Sequence, residues 1–300
     1  MKIAYIILAH KNPAQIARLV NRLCDQPCEI FLHIDRNASP QDYSRCITQF
    51  QALANVHLLP RFASHWGSYR LVQATLAGIQ ACLRGAQDCE YAFLLSGQDY
   101  PVRPLAEFYQ FLQGNPGASY LGYSSFPNPE WSDRGGYDRI EKWHVNLPFT
   151  NQRLRSIAKR IFNRFLNTLL PARRFPAGFS PYGGAQWWCL HRDCLEYIDQ
   201  FCRKNGQFQR FFQFVRVPDE IFFHTILLNS PLKAHIQNRM LTYVDWHGPP
   251  YPRVLSASDL PAVAESGCFF ARKFDIAQDP SVLDVLDQSL DRQHAHFVSV

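Results

Sequence analysis

The chain has 300 residues, of which 47% are hydrophobic, 19% charged and 14% aromatic. That is enough length and apolar content for one large α/β domain or two small ones, and too apolar for intrinsic disorder. The formal charge of +6 suits an acidic small ligand or an anionic membrane surface, but it is too mild and too evenly spread to indicate a nucleic-acid partner.

The nine cysteines are odd in number and show no metal-ligand spacing. Several sit in apolar runs, such as Cys189 in WWCL and Cys268 in GCFF, where a reduced thiol behaves as a small hydrophobe. The sequence shows no cleavable leader and no apolar run of about 20 residues that could span a bilayer. The expected address is therefore the cytoplasm, or the inner face of a membrane as a peripheral protein.

KIAYIILAH, residues 2–10, is a short β-branched run of the kind that forms a buried parallel strand. Asn12-Pro13 opens a helical pattern with Ile16, Leu19, Val20 and Leu23 on one face. EIFLHID (29–35) and VHLLP (56–60) read as two further strands. Residues 68–85 read as a helix ended by Gly85, and CEYAFLLSG (89–97) as a central strand stopping in SGQDYPVRP. This alternation predicts an α/β fold with a mostly parallel central sheet and helices on both faces. Ligands of such sheets collect at the carboxyl ends of the strands, where His10, Asp35 and Asp99 fall.

Residues 120–150 are rich in Pro, Gly, Trp and Tyr and read as an irregular, aromatic-lined region. Residues 152–175 follow a helical period, with Leu154, Ile157, Ile161, Phe165 and Leu169 on one side and Arg153, Arg155, Lys159, Arg160 and Arg164 between them. Such a helix either packs on the domain and leaves a solvated basic face, which we take as the first expectation, or lies in a membrane interface against anionic lipid. GGAQWWCLHRDCLEYIDQF (183–201) runs from a glycine turn into a strand and then a helix, VPDEIFFHTILLNS (217–230) opens another, and a last helical pattern fills 281–290.

Glu220 is the leading catalytic candidate, because a carboxylate with an apolar side can be raised toward the pKa a general base needs. The alternative is an acid that only complements a helix N-terminus. Arg253, Arg272 and Lys273 offer the fixed positive charge that a departing diphosphate requires when no divalent ion is present. The Asp-x-Asp pair of metal-using transferases is missing; His33-Ile34-Asp35 and Gln98-Asp99-Tyr100 each hold a single acid. Trp66 in Ser64–Gly67 and Trp246 in Asp245–Gly248 set a ring beside polar groups, which suits either sugar contact or a packed turn. Glycine-rich phosphate loops and the Gly-x-Ser-x-Gly elbow are both absent from the sequence.

Taken in order, ILAHKNP, IFLHIDRNA, SHWGSYRLVQATL, YAFLLSGQDYPVRP, GGAQWWCLHRDCLEYI, VPDEIFFHTIL, PRVLSASDL and CFFARKFD resemble the core-2/I-branching glycosyltransferases, the family that includes the peptide xylosyltransferases. The likeness covers nearly the whole chain and is closest to a compact bacterial-type member. It implies a single GT-A-like domain over 1–300, with a nucleotide-sugar-binding half at 1–115 and an acceptor and catalytic half at 116–300. It implies an inverting transfer of N-acetylglucosamine or xylose from a UDP-sugar to a glycan, lipid-linked or protein hydroxyl, with no metal or other cofactor. Glu220 would be the base, and Arg253 and Lys273 would hold the diphosphate. His10, His33, Asp35, Trp66 and Asp99 would line the donor pocket, and Tyr243 and Trp246 would face the acceptor. Two rivals are a hydrolytic sugar enzyme pairing Glu220 with Asp99 or Asp219, and a carbohydrate-binding protein without turnover.

Overall fold

The computed structural model describes the backbone of residues 1–146, 152–247 and 251–298, and the side chains of these except 152–156 and 294–298. The first half alternates strand and helix: β1 (Lys2–Ala9), α1 (Pro13–Leu23), β2 (Cys28–Ile34), α2 (Pro40–Phe50), β3 (Val56–Leu58), α3 (Tyr69–Gly85), β4 (Cys89–Ser96), β5 (Asp99–Pro101) and α4 (Leu105–Gln113). After it come β6 (Ser119–Leu121), β7 (Ser124–Ser125), α5 (Tyr137–Glu141), α6 (Gln152–Leu169), β8 (Tyr182–Gly183), β9 (Trp188–His191), α7 (Arg192–Lys204) and α8 (Gly206–Phe212). The chain ends with α9 (Phe222–Leu228), β10 (Ile236–Gln237), β11 (Thr242–Val244), α10 (Leu260–Glu265), β12 (Phe270–Arg272) and α11 (Val282–Val298).

The main sheet has the order β10-β6-β9-β4-β1-β2-β3. Its pairs β1·β2, β1·β4, β2·β3 and β10·β6 are parallel, and β9 runs antiparallel between β4 and β6. A smaller sheet, β11-β12-β5, lies beyond the end of β4. The expected α/β fold with a mostly parallel sheet is therefore present, and it draws strands from both sides of residue 115.

Alternation along β1 explains why helices cover both faces. Ile3, Tyr5, Ile7 and Ala9 join a core with α1, α4, β12 and α11, whereas Ala4, Ile6 and Leu8 join a second core with α3, α7, α8 and α9. Gly78 lets α3 approach β1 closely: a Cβ there would come within 2.4 Å of the Ile6 Cγ2. All nine cysteines are free and seven are buried.

Two differences from the sequence reading matter. Glu220 sits in a short 3-10 turn over Pro218–Glu220, after Val217 at φ 53°, and α9 starts only at Phe222. The second concerns α6. The helix docks on the domain and leaves Arg160 and Arg164 exposed, as first expected, but not through its apolar side: Ile157, Ile161, Phe165 and Leu169 are each more than half exposed, and the side chains of Arg153, Leu154 and Arg155 lie outside the described residues. The helix docks instead through Asn163 and Asn167. The Asn163 Oδ1 accepts from the Val145 N–H at 2.8 Å, and its Nδ2 donates to the Val145 carbonyl at 3.2 Å. Asn167 does the same at Trp143, at 2.7 and 2.8 Å. These amides satisfy the backbone of an irregular segment that has no sheet partner. Polar docking thus turns the apolar side of α6 outward.

Candidate active site

Contacts between sequence-distant segments close a ring around the carboxyl edge of the parallel strands. At the end of β1, His10 is exposed, and Lys11 Nζ lies 2.5 Å from Asp275. The Asn12 side chain donates to the same carboxylate at 2.8 Å. Lys273 approaches this point closely enough that Lys11 and Arg272 both lower its pKa, after burial, the largest cause. The pKa of His10 is likewise lowered, first by partial desolvation from the surrounding segments and then by Lys11 and Lys273, with Asp35 and Asp275 opposing. A half-buried lysine beside two further cations is a position where an anion relieves the cost of the charge.

At the end of β2, Asp35 is buried and accepts from the backbone N–H groups of Asn37 at 2.7 Å and Ser64 at 3.0 Å. It thereby tethers the loop that carries Trp66, which is 73% exposed. His33 is buried beneath this loop: its Nε2 accepts from the Phe62 N–H at 3.1 Å, and burial pushes its pKa down to about 4. The ring is neutral there and carries its proton on Nδ1. It supports the loop rather than facing the crevice. Gly67, with φ +68°, rests on Val217, so the Trp66 loop abuts the turn that bears Glu220.

Glu220 is half-buried, and Arg139 Nη1 donates to its Oε2 at 2.8 Å. The Arg139 guanidinium stacks on Trp131 at 4.1 Å from the ring centre. Burial raises the Glu220 pKa, with Arg139 opposing. The adjacent Asp219 is buried, its Oδ1 has no hydrogen-bond partner, and burial followed by repulsion from Glu220 pushes it up to about 7. The Gly184 N–H donates to the Glu220 carbonyl at 2.9 Å. A Cβ on Gly184 would collide with the Gly122 carbonyl oxygen at 1.9 Å, so residue 184 must lack a side chain. Three residues on, Trp187 lies under the Arg272 guanidinium at 4.2 Å.

Arg272 closes the ring. Its Nε donates at 2.9 Å to Asp99 Oδ1, and Asp99 is fully buried and also accepts from the Ser96 N–H and hydroxyl. Asp99 is thus the paired floor of the site. Beside β12 runs β11, with Val244 in register with Arg272. Tyr243 is partly buried against the core, and Trp246, just past the strand end, is 53% exposed. Arg253 lies against two carboxylates: its Nε donates to Asp245 at 2.7 Å and its Nη2 to Asp259 at 2.6 Å. The Leu255 N–H donates to the Lys273 carbonyl at 2.8 Å, which ties this loop to the ring.

The ring thus holds His10, Asp35, Trp66, Glu220, Asp99 and Lys273. His33 lies below it, and Tyr243, Trp246 and Arg253 lie on its outer rim. Arg139 and Lys11 are functional candidates that sequence reasoning missed. Both lie in segments whose partners are remote, 81 positions away for Arg139 and 264 for Lys11. The only sequence signal was the position of Lys11 directly after the strand-end residue His10. Among the described residues, no three His, Cys, Asp or Glu side chains converge as a metal site, and no helix is long and apolar enough to cross a membrane.

Curated relatives include mouse xylosyltransferase 2, 25% identical over 96% of this chain and 33% of that protein, and dog xylosyltransferase 1, 25% identical over 97% and 31%. The chain thus spans about a third of the length of these relatives. Among solved structures, an active-site mutant of LgtC matches at a TM-score of 0.42 and 10% identity, covering 91% of this chain and 87% of that one. Over residues 3–263 the sequence matches the model of the Core-2/I-Branching enzyme, and the chain belongs to that family of glycosyltransferases.

Proposed function

We propose that the protein transfers a sugar from a UDP-α-sugar to an acceptor hydroxyl by a single in-line displacement, giving a β-linked product. The observation that carries this reading is the ring itself. Its contacts join the segments that carry a half-buried carboxylate, Glu220, and a half-buried cation, Lys273, which supports this pair as base and charge partner. Glu220 accepts the acceptor hydroxyl's proton as the new C–O bond forms, and the bond to the diphosphate breaks with its electron pair leaving on UDP. Lys273 meets the developing charge, with Arg253 as a second cation whose guanidinium is already shared by Asp245 and Asp259.

Metal independence is part of the proposal and is supported by Asp99. Its carboxylate is engaged by Arg272 and Ser96, so it has little capacity left for an ion. His10 and Trp66 border the donor, and Trp246 borders the acceptor. That these relatives are xylosyltransferases favours xylose over N-acetylglucosamine as the transferred sugar. Free cysteines in a chain where most are buried support a reducing compartment, the cytoplasm, as the place of work.

The test is a donor screen in EDTA with an oligosaccharide panel, reading UDP release and product anomeric configuration. A β-linked product formed without metal supports the proposal. An α-linked product, or activity that chelation abolishes and manganese restores, overturns it. Glu220→Gln should retain UDP binding and lose turnover by roughly a thousandfold or more, the scale expected for removing a general base.

A further inference from the structure

Helix α6 presents an apolar side that no part of the chain covers among the described residues. Ile157, Ile161, Phe165 and Leu169 recur at intervals of four, and Phe162 extends the strip; all five are exposed. None belongs to either hydrophobic core. The opposite side is held down by the paired amides of Asn163 and Asn167, so the helix is fixed in this orientation rather than free to roll its apolar face inward.

Charge identifies what covers the strip. Arg160 and Arg164 are exposed on one helix edge beside Ile157, Ile161 and Phe165. Residues 152–175 contain no Asp or Glu. A protein partner's apolar surface would need no such one-signed border, whereas an interfacial helix inserts its apolar face at headgroup depth and sets basic residues against anionic headgroups. The aromatic and branched side chains Phe162, Phe165, Ile157 and Ile161 are of the type that seats there. The helix is 18 residues long, too polar to span and long enough to lie flat.

We propose that α6 docks the protein peripherally on an anionic bilayer surface, with Ile157, Ile161, Phe162, Phe165 and Leu169 inserted and Arg160 and Arg164 at the phosphate level. This is independent of the sugar-transfer reading.

The experiment is sedimentation of the intact chain with vesicles of phosphatidylcholine alone or with about a third phosphatidylserine, in low salt and in 0.5 M NaCl. Binding to the phosphatidylserine vesicles, reduced by salt and weak on neutral ones, is the expected result. Arg160→Glu with Arg164→Glu should weaken it at least tenfold, since one basic residue near such a surface contributes roughly a fivefold factor. Ile161→Ser with Phe165→Ser should abolish it at either salt. These side chains are exposed, and an unchanged circular dichroism spectrum and melting temperature verify that the variants fold. Equal binding by wild type and both variants, or no binding by wild type, overturns the proposal. So does a concentration-dependent dimer in analytical ultracentrifugation that the Ser variant disperses, with no lipid binding, because the strip would then cover a second copy of the chain.

Discussion

Arg139 donates to Glu220 across 2.8 Å while its own guanidinium lies over the Trp131 ring. The pair joins two segments that meet only in the folded chain, and it sets the charge balance of the proposed base. Burial pushes Glu220 toward the protonated form and Arg139 pulls it back. Arg139 is thus a positioning residue, acting through the carboxylate rather than on substrate.

Replacing Arg139 with Gln removes the opposing charge, so the Glu220 pKa rises further. A general base works only when deprotonated, and the acid limb of kcat/KM against pH should therefore move to higher pH. A shift of one unit corresponds to about a tenfold loss on the acid side of the profile, with much of it recovered at alkaline pH. Arg139→Lys, which keeps the charge without the planar stack, should recover part of the shift. A profile that drops equally at every pH would mean that Arg139 holds the turn without tuning the base.

Asp219 gives an opposite signature in stability. Its native pKa of about 7 lies above the ordinary carboxylate value of 3.8, so the native state binds the proton more tightly than the unfolded chain does. By linkage, stability falls as pH rises from about 4 to about 7 and is level above that. Asp219→Asn carries no such titration. The melting temperature of wild type should decline relative to this variant across that window, and parallel curves would remove Asp219 from the account.

The parallel strands were legible because β-branched runs bounded by turn residues have few other fates, and each of β1, β2 and β4 formed where that pattern lay. The helices α2 and α4 were less visible. Helix α2 buries only Cys46 and Phe50, so its period is faint, although Ser39 caps it by accepting from the Asp42 N–H. In α4 the correct spacing of Leu105, Phe108, Tyr109 and Leu112 follows directly on the proline-rich turn. Strand-end residues such as His10 and Asp35 could be placed from the sequence because strand polarity alone locates them. Arg139 could not, because a salt bridge across irregular backbone leaves no period. The outward apolar face of α6 was equally hidden: periodicity locates a stripe but not what it faces, and two asparagine side chains decided that.

Lys273 and His10 form a pair whose charged states are disfavoured by loss of solvent and by the neighbouring Lys11 charge. A diphosphate placed among them should raise the pKa of His10 from its lowered value. UDP binding near pH 6 should therefore take up protons, seen as a dependence of the calorimetric enthalpy on the buffer's ionisation heat. Lys273→Ala should weaken UDP by tenfold or more, the range for losing a charged hydrogen-bonding partner. Binding without proton uptake, and untouched by that variant, would place the diphosphate elsewhere.

The Asp99–Arg272 pair separates a structural acid from a metal ligand. Asp99 is fully buried, and its carboxylate accepts from Arg272 and from the Ser96 N–H and hydroxyl. Asp99→Asn leaves the Arg272 guanidinium on Trp187 with no counter-charge, a change that costs about 3–5 kcal/mol when one member of a buried pair is lost. Combining it with Arg272→Met removes the stranded charge and should recover much of the melting temperature, since an apolar replacement of both partners is often near neutral. Manganese should restore neither stability nor turnover in either variant. If Asp99 instead served a divalent ion, the single variant would keep its melting temperature, and wild type would stop in EDTA. Each arm reads a different property, so a fall in stability without metal dependence assigns Asp99 to the floor of the site, where its charge holds Arg272 beside Lys273.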